Sequence, residues 1–190
     1  MKEITRTVTL SGINDIMFDR YAGDNKTELT PEQKLYYAPD GKTLVMPSLN
    51  IVSFLCAQNT PSACKRFYDS REYKKMAQEI LSNVDIRPPT IPFVRNGKEI
   101  QFGGFGGDGI DPTSKCYIRQ DVARLEKGIP NPKTRPVLPT PWQLTFTLHM
   151  LENGSITEEA LQNLFTRAGV AIGLGTFRGV FGKFEVSQWE

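Results

Sequence analysis

Near its C-terminus the chain reads GLGTFRGVFGKFE, from Gly173 to Glu185. Gly173, Gly175 and Gly182 remove side chains where the backbone must come close to a phosphate, to a neighbouring strand or to its own turn. Arg178 and Lys183 place two cations in the same stretch, and a guanidinium suits phosphate oxygens. The familiar nucleotide cradles do not fit. A dinucleotide fingerprint needs glycine where Arg178 stands, followed by a helix in a βαβ unit. A P-loop needs glycine at Phe177, and Ser or Thr at Phe184.

A second concentration of charge lies upstream. Residues 113–135 hold Lys115, Arg119, Arg124, Lys127, Lys133 and Arg135 against Asp121 and Glu126. A local basic segment in a chain of net charge +2 suits a nucleic-acid track, or a solvated loop and helix. Just before it, Phe102 and Phe105 sit in FGGFGGDG, a glycine-rich stretch that gives aromatic rings no evident reason for burial. Such rings stack on bases, dock on a neighbouring subunit or fold back on their own domain.

Residues suited to acid–base or metal chemistry are sparse. His149 is the single histidine, without a partner identifiable in sequence, and a lone strand histidine is usually structural. Asp15, Asp19 and Asp24 follow the first strand with nothing to favour one over the others, and Asp108 and Asp111 lack EF-hand spacing. Cys56, Cys64 and Cys116 form no C-x-x-C pair and read as free thiols of a reducing cytosol. No metal site and no cofactor are expected.

The elements that must position these residues show in the periodicity. ITRTVTL (4–10) alternates as a half-buried strand. Residues 19–34 read as a polar loop, and 34–46 as a hairpin around Pro-Asp-Gly. Ser48 is the expected N-cap of a helix whose stripe is Leu49, Val52 and Leu55, and a second helix is expected over 63–81. Asn96-Gly97 marks a strand-turn-strand within 85–102. Residues 102–141 read as one long excursion, rich in glycine and proline. WQLTFTLHM (142–150) alternates strictly. A helix follows, capped by Ser155 with Glu158 or by Thr157 with Ile156 stapled to Leu161, and expected to end at Gly169. VAIGLG and FGKFEV then read as short strands, or as a strand with a broken return. The sum is an α+β, ferredoxin-like (RRM-like) antiparallel sheet with helices on one face. Its other face would carry the Thr side of 4–10 beside Gln143, Thr145, Thr147 and His149, without the paired aromatics of an RNA-recognition motif.

Composition sets the outer bounds. The 190 residues are 39% hydrophobic and 23% charged, as in one ordinary globular domain spanning 1–190. No apolar run approaches a membrane span and the N-terminus has no signal-peptide h-region, so a cytoplasmic protein with no membrane partner is expected.

Arg135-Pro136, Trp142, Ala168-Gly169, Gly173, Gly175, Arg178, Gly182 and Phe184 together resemble the RAMP superfamily, the ferredoxin-like proteins of CRISPR effector complexes. The likeness is to the backbone-subunit branch and its relatives in phages and mobile elements. It is carried by the last third of the chain, fainter over 1–60, where MPSLNIVSFL resembles a helix start of that family, and absent between. The resemblance implies a non-enzymatic subunit that holds single-stranded guide RNA, or ssDNA, and stacks with copies of itself or other subunits into a filament. Gly173, Gly175, Arg178, Gly182 and Lys183 would contact phosphates, and 102–135 would form a thumb-like insertion reaching a neighbour. Two alternatives stay open: a metal-independent endoribonuclease using His149, and an assembly protein making protein contacts alone. Some backbone subunits also cut target RNA with a loop aspartate and a metal, which keeps Asp15, Asp19 and Asp24 in view.

Overall fold

The computed structural model describes residues 1–24, 26–106, 115–124, 128 and 130–190, with the backbone alone for Ala123 and Arg124. Asp108 and Asp111 fall outside the described residues. Strand β1 (Lys2–Gly12) buries Ile4, Val8 and Leu10 and leaves Thr5 and Thr7 exposed, as its alternation requires. Strand β9 (Gln143–Glu152) runs antiparallel beside it, with Ser11 opposite Gln143 and Thr5 opposite His149. Strand β10 (Phe184–Trp189) flanks β1. The far edge of β9 takes β4 (Val84–Arg87) and then β5 (Thr90–Arg95), one line of chain interrupted at Pro88-Pro89. The spatial order β10, β1, β9, β4/β5, all antiparallel, with helices between β1 and β4 and between β9 and β10, is a ferredoxin-like α+β fold.

The helices cover the apolar face. They are α1 (Ser48–Cys56), α2 (Ala63–Phe67), α3 (Glu72–Asn83) and α4 (Glu158–Ala171). Phe54 of α1 meets Phe165 of α4 at 6.0 Å and Phe184 of β10 at 5.3 Å, and Phe165 meets Phe146 of β9 at 6.1 Å. These rings are all at most 2% exposed, each contributing on the order of 2–3 kcal/mol by burial.

Local chemistry moves several boundaries. Ser48 is the first residue of α1 rather than its cap, and the helix turns Ile51, Phe54 and Leu55 inward while Leu49 is 75% exposed. Pro47 holds the extended conformation at the cap position. The expected 63–81 helix is two helices. The Asp69 carboxylate accepts from the amides of Arg71 and Glu72 at 2.8 and 2.9 Å and so starts α3 afresh. Thr157 caps α4 by accepting from Ala160 N at 3.2 Å, with Ile156 and Leu161 both buried beside it. That helix does not stop at Gly169. It continues to Ala171 because Gly169 gives room to Phe184, whose ring would lie 2.6 Å from an added Cβ. Gly173, at φ +78, ends it instead, with its amide on Ala168 O at 3.1 Å. Val170 and Ala171 are therefore helical, not strand.

The described residues of the excursion between β5 and β9 form strands that its composition does not suggest. Asn96 and Gly97, at φ +51 and +75, turn the chain into β6 (Lys98–Glu99). Phe105 bridges to Cys116. Strands β7 (Tyr117–Arg124) and β8 (Pro130–Leu138) then form a hairpin, from Tyr117 opposite Val137 to Arg124 opposite Pro130. Strand β2 (Ile16–Met17) adds to β8, giving a second, three-stranded sheet. The prolines in β8 are tolerated because of their parity. Thr134 O accepts from Lys34 Nζ and Pro136 O from Phe18 N, so even-numbered residues turn their backbone polar groups away from β7. Pro130, Pro132 and Pro136 thus lack donors that the hairpin ladder does not use. Strand β3 (Val45–Pro47) completes the far edge of the main sheet on β5.

Candidate nucleic-acid interface

The end of the main sheet where β1 and β5 finish and β9 and β10 begin carries the glycine loop singled out by sequence. The loop 173–183 is folded onto the β1–β2 turn. Lys183 N donates to Asn14 Oδ1 at 2.8 Å, Gly182 N to Asp15 O at 2.7 Å and Thr176 N to Met17 O at 2.9 Å. An added Cβ at Gly173, Gly175 or Gly182 would lie within 2.6 Å of backbone atoms of Gly182, Met17 and Leu174 respectively, and all three have positive φ. The glycines are there for chain-on-chain approach. The amides of Gly173, Gly182 and Lys183 already have acceptors, so the loop has side chains rather than these amides to offer a ligand.

Arg178 is the side chain so offered. Its Nε donates to Gly175 O at 3.3 Å and its Nη1 to Pro61 O at 2.8 Å, which fixes the guanidinium between the loop and the start of α2. Burial lowers its pKa from the ordinary value, and no carboxylate pairs with it among the described residues. It lines a hollow of about 390 Å³ with Lys65 and Arg66 of α2 and the end of α4, and no acidic residue lines that hollow among the described residues. Lys65 Nζ donates to Gln58 O at 2.8 Å. The carbonyl end of α4 offsets part of the charge, worth about half an elementary charge against three cations. Lys65 and Arg66 fall within the expected 63–81 helix, and the break at Asp69 places them on the separate α2.

The basic segment divides. Arg135 pairs with Asp19 at 2.8 Å and its side chain is 12% exposed, so it braces the hairpin base and is not free for a ligand. Arg119 is held by Asp121, Nε to both carboxylate oxygens at 2.9 and 2.8 Å, and its guanidinium lies 5.2 Å from the centre of the Phe181 ring. Lys133 stands opposite Asp121 across the hairpin. The Arg124 backbone closes the hairpin ladder, and its side chain lies outside the described residues, as does Lys127. Lys115 lines a second hollow of about 350 Å³ with Arg95, Lys98 and Phe102. Phe102 and Phe105 are not splayed into solvent. Their rings meet at 5.1 Å, and Phe102 meets Tyr37 at 6.0 Å, so residues 102–105 fold back on the core.

The carboxylates serve the fold. Asp15 accepts from Tyr117 Oη at 2.7 Å and Thr140 N at 3.0 Å, a contact that with burial pushes the tyrosine's pKa up. Asp24 accepts from the Thr27 hydroxyl and the amides of Thr27 and Lys26, which hold its pKa below the usual carboxylate range. No cluster of metal-ligating side chains occurs among the described residues. His149 is exposed on β9, its Nδ1 3.0 Å from Thr5 Oγ1 and its backbone opposite Asp85. It lies six residues along β9 from Gln143, about 20 Å from the cationic end, in a hollow shared with Glu3 and Asp85. The open face around it is a sheet of hydroxyls and amides that satisfy one another, such as Thr9 with Thr145 at 2.9 Å and Ser11 with Ser187 at 2.8 Å. Cys56, Cys64 and Cys116 are buried free thiols whose pKa values burial raises to about 11, 12 and 12. No described helix is long and apolar enough to cross a membrane.

No protein-family model matches the chain, and no curated protein does. A solved structure does. A chain in the cryo-EM structure of the Type III-B Cmr-beta bound to cognate target RNA matches 100% of this chain with a TM-score of 0.62 and 12% sequence identity. The match takes in 60% of that chain, so the present chain spans about three fifths of its length. At that identity the likeness is one of fold.

Proposed function

We propose that this chain is a single-stranded RNA-binding subunit of a CRISPR-type ribonucleoprotein effector, without chemistry of its own. It works beside copies of itself or other subunits in a reducing cytosol. One observation carries the reading: the whole chain, hairpin insertion included, shares its fold with a chain of an RNA-bound Cmr complex. The electrostatics support it. Arg178, Lys65 and Arg66 line one hollow and Arg95, Lys98 and Lys115 another; among the described residues the first has no acid in its lining and the second has Glu99. Phosphates gain from such sites without base readout, as a subunit that holds any guide sequence requires. The β7–β8 hairpin is the element suited to reach a neighbouring copy in a filament. A ribonuclease centred on His149 fits less well, because Glu3 shares its hollow and no cation lines it among the described residues.

The test is fluorescence anisotropy with labelled single-stranded RNA and DNA of about 30 nucleotides across a salt series. Affinity that falls steeply with log salt, and favours RNA, is the expected result. No binding of either strand at low salt, with self-association intact, would instead make this an assembly protein.

A further inference from the structure

Phe177 combines two features that packing alone does not call for. It adopts φ +55, a conformation that costs a bulky side chain strain and that glycine would accept freely. Its ring is nevertheless 47% exposed. Strain of this kind persists where the surroundings impose it. Here Phe177 O accepts from the amides of Val180 and Phe181, and Thr176 N is tied to Met17 O. The ring rests against Phe181 at 5.9 Å with a 35° tilt, and Phe181 in turn carries the Arg119 guanidinium. Three planar groups therefore adjoin one another where the loop meets the β7–β8 hairpin, and Phe177 is the exposed one. Its chain neighbour Arg178 lines the cationic hollow with Lys65 and Arg66.

From this geometry we infer that Phe177 is a base-stacking residue: an unpaired nucleobase packs on its ring while the adjoining phosphate meets Arg178. The inference rests on the nucleic-acid reading above and adds the contact that reading lacks. Every base has a π-face, so such a contact is sequence-tolerant. The alternative occupant is a second copy of this chain. Ile13 and Val180, each 51% exposed, are the other apolar side chains presented by the loop and the β1–β2 turn that holds it. These make a small apolar patch, and the neighbouring cations suit a polyanion better.

Phe177→Gly is the informative variant, because it removes the ring and relieves the strain together. It is compared with wild type and Phe177→Trp on a labelled 30-nucleotide RNA and on an abasic oligomer with the same number of phosphates. Phe177→Gly is expected to bind the RNA about tenfold more weakly, with the salt slope unchanged. The abasic oligomer should be held as by wild type, and the melting temperature should be equal or higher. Phe177→Trp should retain affinity, and its indole fluorescence should be quenched by the RNA and not by the abasic strand. Undiminished RNA affinity in Phe177→Gly overturns the inference and leaves the proposed function standing. A fall in oligomer mass by light scattering, with affinity intact, reassigns the ring to a contact between copies. Failure of wild type to bind any single strand at low salt removes both.

Discussion

Arg135 Nε lies 2.8 Å from Asp19 Oδ2, and Lys34 Nζ approaches Oδ1 of the same carboxylate at 3.6 Å. One acid thus ties β8 to the start of the 19–34 loop and to the short 3-10 turn at Glu32–Lys34. The side chains are 12%, 22% and 7% exposed for Arg135, Asp19 and Lys34, which makes the group partly buried rather than a surface pair. Asp19→Ala leaves two cations without their anion, and a loss of about 2 kcal/mol in urea unfolding is expected. Arg135→Ala should cost less, because Lys34 still faces Asp19. Its salt slope for RNA should stay that of wild type; a reduced slope would return Arg135 to the ligand surface.

Two glycines of the same loop separate space from backbone freedom. At Gly182 an added Cβ would stand 2.0 Å from Leu174 O, whereas at Gly179 it meets nothing within 4 Å. Both have positive φ, +72 and +88. Gly179→Ala is expected to cost about 1 kcal/mol, the conformational term alone. Gly182→Ala must also push two chain segments apart, and should cost at least about 3 kcal/mol or fail to fold. Thermal unfolding of the pair checks this. Equal losses would mean that the contact between Gly182 and Leu174 relaxes freely.

Much of the fold was legible because it is written in period-two alternation. ITRTVTL and WQLTFTLHM face each other as β1 and β9, residue for residue. The Thr157 cap and the Asn96-Gly97 turn were equally readable, since each rests on one side chain or one φ value. What the sequence concealed depends on partners distant in the chain. Gly169 looks like a helix stop until Phe184 is seen against it. Prolines at 130, 132 and 136 look like an extended run until the register with β7 shows which edge they occupy. Of the candidate site, Arg178 was readable and Lys65 and Arg66 were not, because only the fold brings α2 to the end of α4. Arg119 and Arg135 looked free because charge counting does not see pairing: Asp121 sits two residues on along β7, and Asp19 lies far away in the chain.

The pairing of Arg6 with Glu158 gives a pH signature with a defined sign. Arg6 Nη2 donates to Glu158 Oε2 at 3.0 Å and Trp189 Nε1 to Oε1 at 2.9 Å. The guanidinium first, and the indole with it, holds the Glu158 pKa below its ordinary value of 4.5. A carboxyl depressed in the folded state stabilises above its unfolded pKa, and that stability is lost as pH falls through the folded pKa. The stability difference between wild type and Glu158→Gln should therefore be constant above about pH 5 and shrink as the pH drops below 4.5. Asp24 and Asp40, also depressed, are common to both proteins and cancel in the difference. Urea unfolding at stepped pH reads it. A difference that grows on acidification would refute the pairing.

The Arg178 hollow can be told apart from a merely basic surface by how its three cations enter the salt slope. Each phosphate neutralised on a single strand releases counterions and contributes about 0.7 to the steepness of the log–log slope. Arg178→Ala should reduce it by about that amount, and Lys65→Ala with Arg66→Ala together by up to about twice as much. Arg119→Ala should change it less, because Asp121 already neutralises that guanidinium. Arg178→Lys adds a second axis. An ammonium keeps the charge but cannot span Gly175 O and Pro61 O as the planar fork does. The slope should survive while the melting temperature falls, since the clamp between loop and α2 is lost. Should Arg178→Lys lose slope and stability together, the charge acts only through folding. Should it lose neither, the two carbonyl contacts contribute nothing, and the hollow owes its shape to the glycines alone.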